Sequence, residues 1–354
     1  MKSKKWFAGT IGAVLSILFL IGLPMIIIDP YFHFHGPIPG FSYRLYSERY
    51  MNDGIVRHFD YDAIITGSSM NQNFKTSTMD SLFGTNSIKV PFSGAGFQEI
   101  SNLLERALST NPDIKYVLWG IDYNGFNREY DWAGYDDYPD YLYDDNPLND
   151  FAYIWNKTIL YEALITDVIY TLKGNETTTF DEYSSWEVGG GWDQIRKTYY
   201  RSDEVLPMEP GLSEGAKERV QTNIGENIVK LVKKYPNTQF LFFYTPYSAL
   251  YWESLTRDGT FWKQLEAEKL TTEMLLDCPN VSLYSFAQMT DITGNVMNYR
   301  DKEHYVAAIN EKILHWIADG EGLVTKENYE ELLQWELEYY TDYDYDELYT
   351  TYVP

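Results

Sequence analysis

Five short apolar runs, most of them followed by a helical pattern, limit this chain more than any other feature. They are YDAIITG (61–67), SIKVPF (87–92), KYVLWGID (115–122), TQFLFFYTP (238–246) and VSLYSF (281–286). KYVLWGID and TQFLFFYTP show no alternation, the pattern of strands buried on both faces. Between the runs lie KTSTMDSLFG, FQEISNLLERALSTNP, SEGAKERVQTNIGENIVKLVKKYP and FWKQLEAEKLTTEMLLD, which carry helical periodicity, hydroxyl caps or Gly and Pro stops. EHYVAAINEKILHWIADG (303–320) reads as a last amphipathic helix ending in glycine. Strands alternating with helices predict a parallel sheet covered on both faces. Right-handed crossovers leave few topologies, and the expectation is an α/β three-layer sandwich with a five-stranded parallel sheet in flavodoxin-like order. Reactive groups of such sheets gather at the carboxyl ends of the strands.

The N-terminus bears on location. Lys2, Lys4 and Lys5 precede FAGTIGAVLSILFLIGLPMIII, Phe7 to Ile28, which has no charged residue. That run is long enough to cross a hydrocarbon core of ~30 Å as a helix. No small-x-small cleavage site follows Gly22, so an uncleaved, single-pass signal anchor in the cell membrane is expected, with the lysines cytoplasmic and residues from about Asp29 extracytoplasmic. The single cysteine, Cys278, permits no intrachain disulfide and is expected to be a semi-buried structural residue. An outside domain without disulfides fits a bacterial cell envelope. The net charge of −24 argues against a nucleic-acid partner.

The expected organisation is a cytoplasmic stub and anchor (1–28), a Pro-, Gly- and aromatic-rich connector (29–60), an α/β domain (61–322) and a C-terminal helix with an acidic, Tyr-rich tail (323–354). The tail reads either as disordered or as a docking peptide. Residues 126–210 interrupt the alternation and read as an inserted subdomain or lid. Its acidic run DDYPDYLYDDNPLND lacks EF-hand spacing. Its apolar stretch YIWNKTILYEALITDVIYTLKG carries Lys157, Glu162 and Asp167, which argue against a second membrane span. His33 and His35 have no nearby acidic or thiol partner to complete a metal set, and no metal or cofactor is expected.

DAIITGSSMNQNF (62–74) ends a strand with a glycine and two serines. The pair fits a turn with a helix cap, and it fits a nucleophile. A serine nucleophile needs a base, and the base needs an orienting carboxylate. Of the five histidines, His304 stands in NYRDKEHYV, just after the loop that leaves the fifth strand. Asp301, three residues earlier, is placed to reach one imidazole nitrogen while the other faces outward, which fixes the tautomer a general base requires. The same residues also fit a helix N-terminus capped by Asp with a surface His.

A serine on the turn after the first strand, with Asp-x-x-His at the far end of an α/β chain, resembles the SGNH hydrolase superfamily. The resemblance covers roughly residues 60 to 320, the insertion aside. Gly67-Ser68-Ser69 stands where the family has Gly-Asp-Ser, so Ser69 matches the nucleophile and Ser68 replaces the Asp. PFSGAGFQE follows the second strand, where the family's second block supplies a glycine N–H to the oxyanion hole. Gly96 is the match and Gly94 the fallback. The third block, Gly-x-Asn-Asp, reads WGIDYNGF, with Asp122 in the Asn position and Asn124 two residues later. An Asp carboxylate repels a developing oxyanion, whereas an amide donates to it. Thr245 and Tyr247, in FYTPYS, are expected at the rim of the site. The layout is similar to membrane-anchored SGNH-like proteins of cell-envelope polymer acylation, such as the teichoic-acid D-alanylation and alginate O-acetylation proteins.

The resemblance implies acyl transfer through Ser69, His304 and Asp301, with the Ser69 and Gly96 N–H groups and Asn124 as oxyanion donors. The substrate class it implies is a cell-surface polysaccharide or teichoic-acid-like polymer. Two other readings stay open. One is a non-catalytic accessory protein that partners a membrane-bound O-acyltransferase, supported by the departure at Asp122. The other is a glycan-binding module, motivated by 32 tyrosines and 10 tryptophans.

Overall fold

The computed structural model describes residues 2–135, 138–186 and 188–352. Asp136 and Asp137 of the acidic run, Glu187 of the expected insertion, and Val353 and Pro354 of the tail lie outside the described residues. The chain forms two compact units, Met1–Asp60 with Asp137–Tyr183, and Tyr61–Asp136 with Ser184–Pro354. These units cut across the interval 126–210.

The first unit holds α1 (Lys2–Ile28) and α2 (Glu48–His58). α1 is long and apolar enough to cross a membrane, and most of it is exposed. It stops at Asp29, whose carboxylate accepts the backbone N–H groups of His33, Phe34 and His35 and the Tyr153 hydroxyl. Residues 29–60, read as a connector, are tied to the rest of the first unit by these bonds. His33 Nε2 pairs with Asp150, and the His35 ring faces the carbonyls of Gly36 and Ile26. Among the described residues, no cluster of three His, Cys, Asp or Glu side chains is placed to hold a metal. The apolar stretch of the expected insertion becomes two helical pieces, Phe151–Ile154 and a run from Lys157 to Leu172 that includes a π-turn over Leu160–Ile165. Asp167 is fully buried and paired with Arg44 at 3.0 Å.

The second unit is an α/β sandwich. Its strands are β1 (Ala63–Gly67), β2 (Ser87–Lys89), β3 (Tyr116–Ile121), β4 (Gln239–Tyr244), β5 (Val281–Tyr284) and β6 (Leu323–Val324). Its principal helices are α3 (Thr76–Phe83), α4 (Phe97–Thr110), α5 (Glu214–Ile224), α6 (Ala249–Arg257), α7 (Phe261–Leu276), α8 (Ala307–Asp319), α9 (Tyr329–Asp342) and α10 (Tyr345–Tyr352). The sheet runs β2-β1-β3-β4-β5-β6. The apolar runs account for the centre: Val117, Leu118 and Trp119 on β3 and Phe240, Phe242 and Phe243 on β4 are fully buried, on alternate faces of the sheet.

One expectation is corrected here. The sheet has six strands, not five, because Leu323 and Val324 pair antiparallel with Tyr284 and Leu283. Gly320 and Gly322 take φ +75 and reverse the chain after α8. A two-residue strand has no period for a sequence reading to detect. The tail, where described, is neither free nor extended. Tyr340 on α9 is fully buried and stacks on Trp252 at 4.9 Å, and Arg201 pairs with Asp346 on α10. Cys278 is buried outright.

Candidate active site

β1 ends at Gly67, with φ +139. A Cβ there would lie 2.3 Å from Asn71 Oδ1, so both the conformation and the space require glycine. The chain turns at once into a short 3₁₀ turn, Ser69–Asn71. Ser68 caps it, its Oγ accepting the Met70 N–H at 3.2 Å. The two readings of the serine pair are thus divided between the two residues: Ser68 is the cap, and Ser69 is presented. The Met70 carbonyl accepts from Tyr305 Oη and from Asn310 Nδ2 of α8. That links the serine turn to the segment carrying His304, more than two hundred residues away in sequence.

Ser69 Oγ lies 2.8 Å from His304 Nε2. His304 Nδ1 lies 2.9 Å from Asp301 Oδ2 and 3.1 Å from Oδ1. Asp301 Oδ1 also accepts the backbone N–H groups of Glu303 and His304, at 2.9 and 2.7 Å. The 300–304 loop is closed by a bridge between Tyr299 and Tyr305 and by the Arg300 N–H donating to the His304 carbonyl. Burial raises the Asp301 carboxyl's pKa, but the His304 ring and the two backbone N–H groups outweigh it and hold the group below the usual carboxylate range. Burial lowers His304, yet Asp301, then Glu303 and Asp122, outweigh that and leave it above the ordinary imidazole value. A neutral imidazole with Nδ1–H on Asp301 presents a bare Nε2 to the serine hydroxyl.

Two cavities meet at this point. One, of about 240 Å³, is lined by Ser69, Met70, Gly94, Phe97, Asp122 and Asn124 among others. The other, of about 430 Å³, is lined by Tyr199, Tyr200, Arg257, Asp301 and Lys302 among others. Glu303 and His304 line both. Trp186 sets its ring edge-on to His304 at 5.9 Å, while its backbone N–H donates to Asn73 and the Arg300 guanidinium lies over its ring. Sequence reading missed Trp186, Glu303 and Asn310; none sits in a motif, and only Glu303, next to His304, had a local signal.

The oxyanion candidates separate. The Gly96 N–H donates to Glu99 Oε2 at 3.2 Å, as the cap of α4, and Gly96 is not among the cavity-lining residues. Gly94, the fallback, lines the cavity with φ +64, and its N–H has no partner among the described residues. The reason is the helix: the Glu99 side chain satisfies the N-terminal N–H of α4 and removes it from service. Asn124 lines the same cavity, and its Oδ1 accepts from Tyr251 Oη at 3.3 Å, which leaves the amide nitrogen as the outward donor.

Asp122, at the end of β3, is gathered by hydroxyls. Tyr247 Oη donates to its Oδ1 at 3.1 Å and Thr245 Oγ1 at 3.3 Å, and Ser68 hydrogen-bonds it as well. Burial dominates and raises its pKa; the Ser68 and Tyr247 hydroxyls oppose that, and Glu303 adds to it. Thr245 is fully buried and Tyr247 nearly so. Tyr247 lines the cavity, whereas Thr245 reaches it through Asp122, so Thr245 is a support beneath the site rather than its rim.

No family model and no curated protein matches this chain. Among solved structures, the C-terminal catalytic domain of peptidoglycan O-acetyltransferase A from Streptococcus pneumoniae, with a methylsulfonyl adduct, aligns over 75% of this chain and 97% of its own length. Identity is 9% and the TM-score 0.31. The functional reading therefore rests on this chain's own geometry.

Proposed function

We propose that this chain is a membrane-anchored, extracytoplasmic serine acyltransferase or esterase of SGNH type, acting on a cell-surface polysaccharide or teichoic-acid-like polymer. The observation that carries the reading is the hydrogen-bonded line from Ser69 Oγ through His304 to Asp301. Ser69 attacks an ester carbonyl as its proton passes to His304 Nε2. Asp301 steadies the imidazolium. The Ser69 N–H, the Gly94 N–H and the Asn124 amide, all on residues lining the cavity, are the proposed donors to the tetrahedral oxyanion. Collapse leaves the acyl group on Ser69 and returns the proton to the departing alcohol. A sugar hydroxyl or water then attacks the acyl-serine, with His304 taking its proton, and Ser69 is regenerated as the new ester or acid leaves. Two cavities meeting at His304 suit a donor on one side and an acceptor on the other. α1 supports placement at a membrane.

A fluorophosphonate probe tests the reading on the full chain in detergent. The wild type is expected to label at Ser69, and Ser69→Ala and His304→Ala are expected not to, with folding unchanged. Labelling that persists in folded Ser69→Ala overturns it. One observation favours a second reading: Asp122 places a carboxyl at the oxyanion pocket, where one missing donor costs ~10²–10³ in rate. Under that reading the chain is an accessory to a membrane-bound O-acyltransferase, and Ser69→Ala leaves its co-purification with a multi-pass partner intact.

A further inference from the structure

The first unit carries an exposed apolar surface of unusual form. Phe151, Trp155, Tyr161, Ile165, Ile169 and Leu172 are between 39% and 82% exposed. On the run from Lys157 to Leu172, Tyr161, Ile165, Ile169 and Leu172 are three or four residues apart and form one stripe, while Phe151 and Trp155 are exposed on the piece before the turn. The opposite side, with Tyr153, Ile159, Ala163, Leu164 and Asp167, is buried. A solvated helix inverts this arrangement, keeping its polar residues outward.

The hairpin's depth is fixed by its contacts with the apolar helix. Asp150 pairs with His33, and the Tyr153 hydroxyl reaches Asp29, just beyond the end of α1. A Cβ on Gly22 would lie 3.1 Å from Ile154 and 3.3 Å from Trp155. Trp155 Nε1 donates to the Leu18 carbonyl at 3.0 Å. The chain turns there, where Asn156 caps the next helix through its side chain. It climbs back to Thr171, which exchanges hydrogen bonds with Ser42, while Tyr43 bonds the Ile28 carbonyl. The two pieces therefore descend along three turns of α1 and return.

From Trp6, after Lys4 and Lys5, a helix needs about twenty residues to span ~30 Å and so reaches Met25. Leu18 then lies about 10 Å inside the hydrocarbon boundary, at 1.5 Å per residue. If α1 crosses the bilayer, whatever touches Leu18 and Gly22 is below the surface too. We propose that residues 148–172 form a helical hairpin seated in the outer leaflet beside α1, its exposed stripe in contact with lipid. Lys157 and Glu162, also exposed, restrict it to one leaflet, since their side chains must reach toward the headgroups. Tyr161 suits the interface, where amphipathic rings collect, whereas Trp155, at the depth of Leu18, has its indole N–H satisfied by the Leu18 carbonyl. The proposal rests on α1 spanning the membrane and is independent of the acyl-transfer chemistry.

Nitroxide labels on the full chain, with Cys278→Ser as background, test it in vesicles of phosphatidylethanolamine and phosphatidylglycerol. Ile165→Cys and Ile169→Cys carry the test. Val14→Cys on α1 and Tyr200→Cys, at 83% exposure in the second unit, are the lipid and water references. These sites are all exposed, and the thermal transition of each variant is compared with that of the parent. Residues 165 and 169 are expected to follow Val14, with collisions several-fold in favour of oxygen over a water-soluble nickel chelate. Equal behaviour with Tyr200 overturns the proposal. Protection from nickel in native membranes but not in vesicles also overturns it, and assigns the face to a protein partner. Nickel access at Val14 removes the anchor and the proposal with it.

Discussion

Two of the places where the second unit takes carboxyl groups out of water treat them in opposite ways. At the site, Asp301 is half-buried but accepts from the His304 ring and two backbone N–H groups, and it is held ionised. Between α7 and α9, Glu268 and Glu336 are both nearly inaccessible and hydrogen-bonded to each other, with no cation among the groups that shift them. Burial first, and for Glu268 the neighbouring Glu336 as well, pushes this pair up, Glu336 to about 8. Asp122 lies between the extremes: it sits in the site, yet its donors are hydroxyls, and burial wins. Depth of burial does not decide the charge of a carboxyl here. The number and kind of donors aimed at it do.

Breaking the comparison at its charged end has the largest expected effect. Asp301→Asn removes the negative charge that raises His304 and offers Nδ1 an NH2 donor, so the tautomer is no longer fixed. The rate of fluorophosphonate labelling is expected to fall by ~10²–10⁴. The base must be neutral to act, and its folded value is raised, so the wild-type rate is lost as pH falls through a midpoint above 6.5. In Asp301→Asn that midpoint moves down, and an unchanged midpoint would separate Asp301 from His304.

The intermediate group sharpens the contrast. Asp122→Asn keeps an oxygen for Tyr247 and Thr245 and replaces a titratable carboxyl by an amide beside the oxyanion pocket. Labelling is expected to accelerate about tenfold. The gain should grow as pH rises, because Asp122 becomes more ionised and more repulsive. A slower Asp122→Asn at every pH would mean that Asp122 serves as a protonated donor.

The smallest effect concerns stability. A carboxyl whose folded pKa is raised contributes stability that is present below its unfolded value and lost as pH rises through the folded one. The Tm of the wild type should therefore fall as pH rises from about 4.3, the unfolded Glu value, to the value near 8 of Glu336. Glu336→Gln removes one titrating member and keeps hydrogen-bonding groups. Its Tm is expected to vary less over that window, and an identical pH profile would show that the pair does not control the seam.

Local pattern was enough for much of this. The unbroken apolar runs at 115–122 and 238–246 became the central strands, and the first five strands lie in the order 2-1-3-4-5. Asp301 and His304 are three residues apart, so one loop brings them together, and that spacing was legible. The lysine-flanked apolar run became one long helix. What the sequence did not contain was any feature made by distant groups. Gly96 and Gly94 look equivalent until Glu99 takes the Gly96 N–H. Asp122 reads as a charge in the wrong place until three hydroxyls, two of them from beyond β4, surround it. Tyr340 reads as part of a polar tail until Trp252 covers it. Composition and period act within a few residues along the chain. Desolvation and hydrogen-bond partners act across space, so only the tertiary structure decides which buried groups carry charge and which apolar ones stay uncovered.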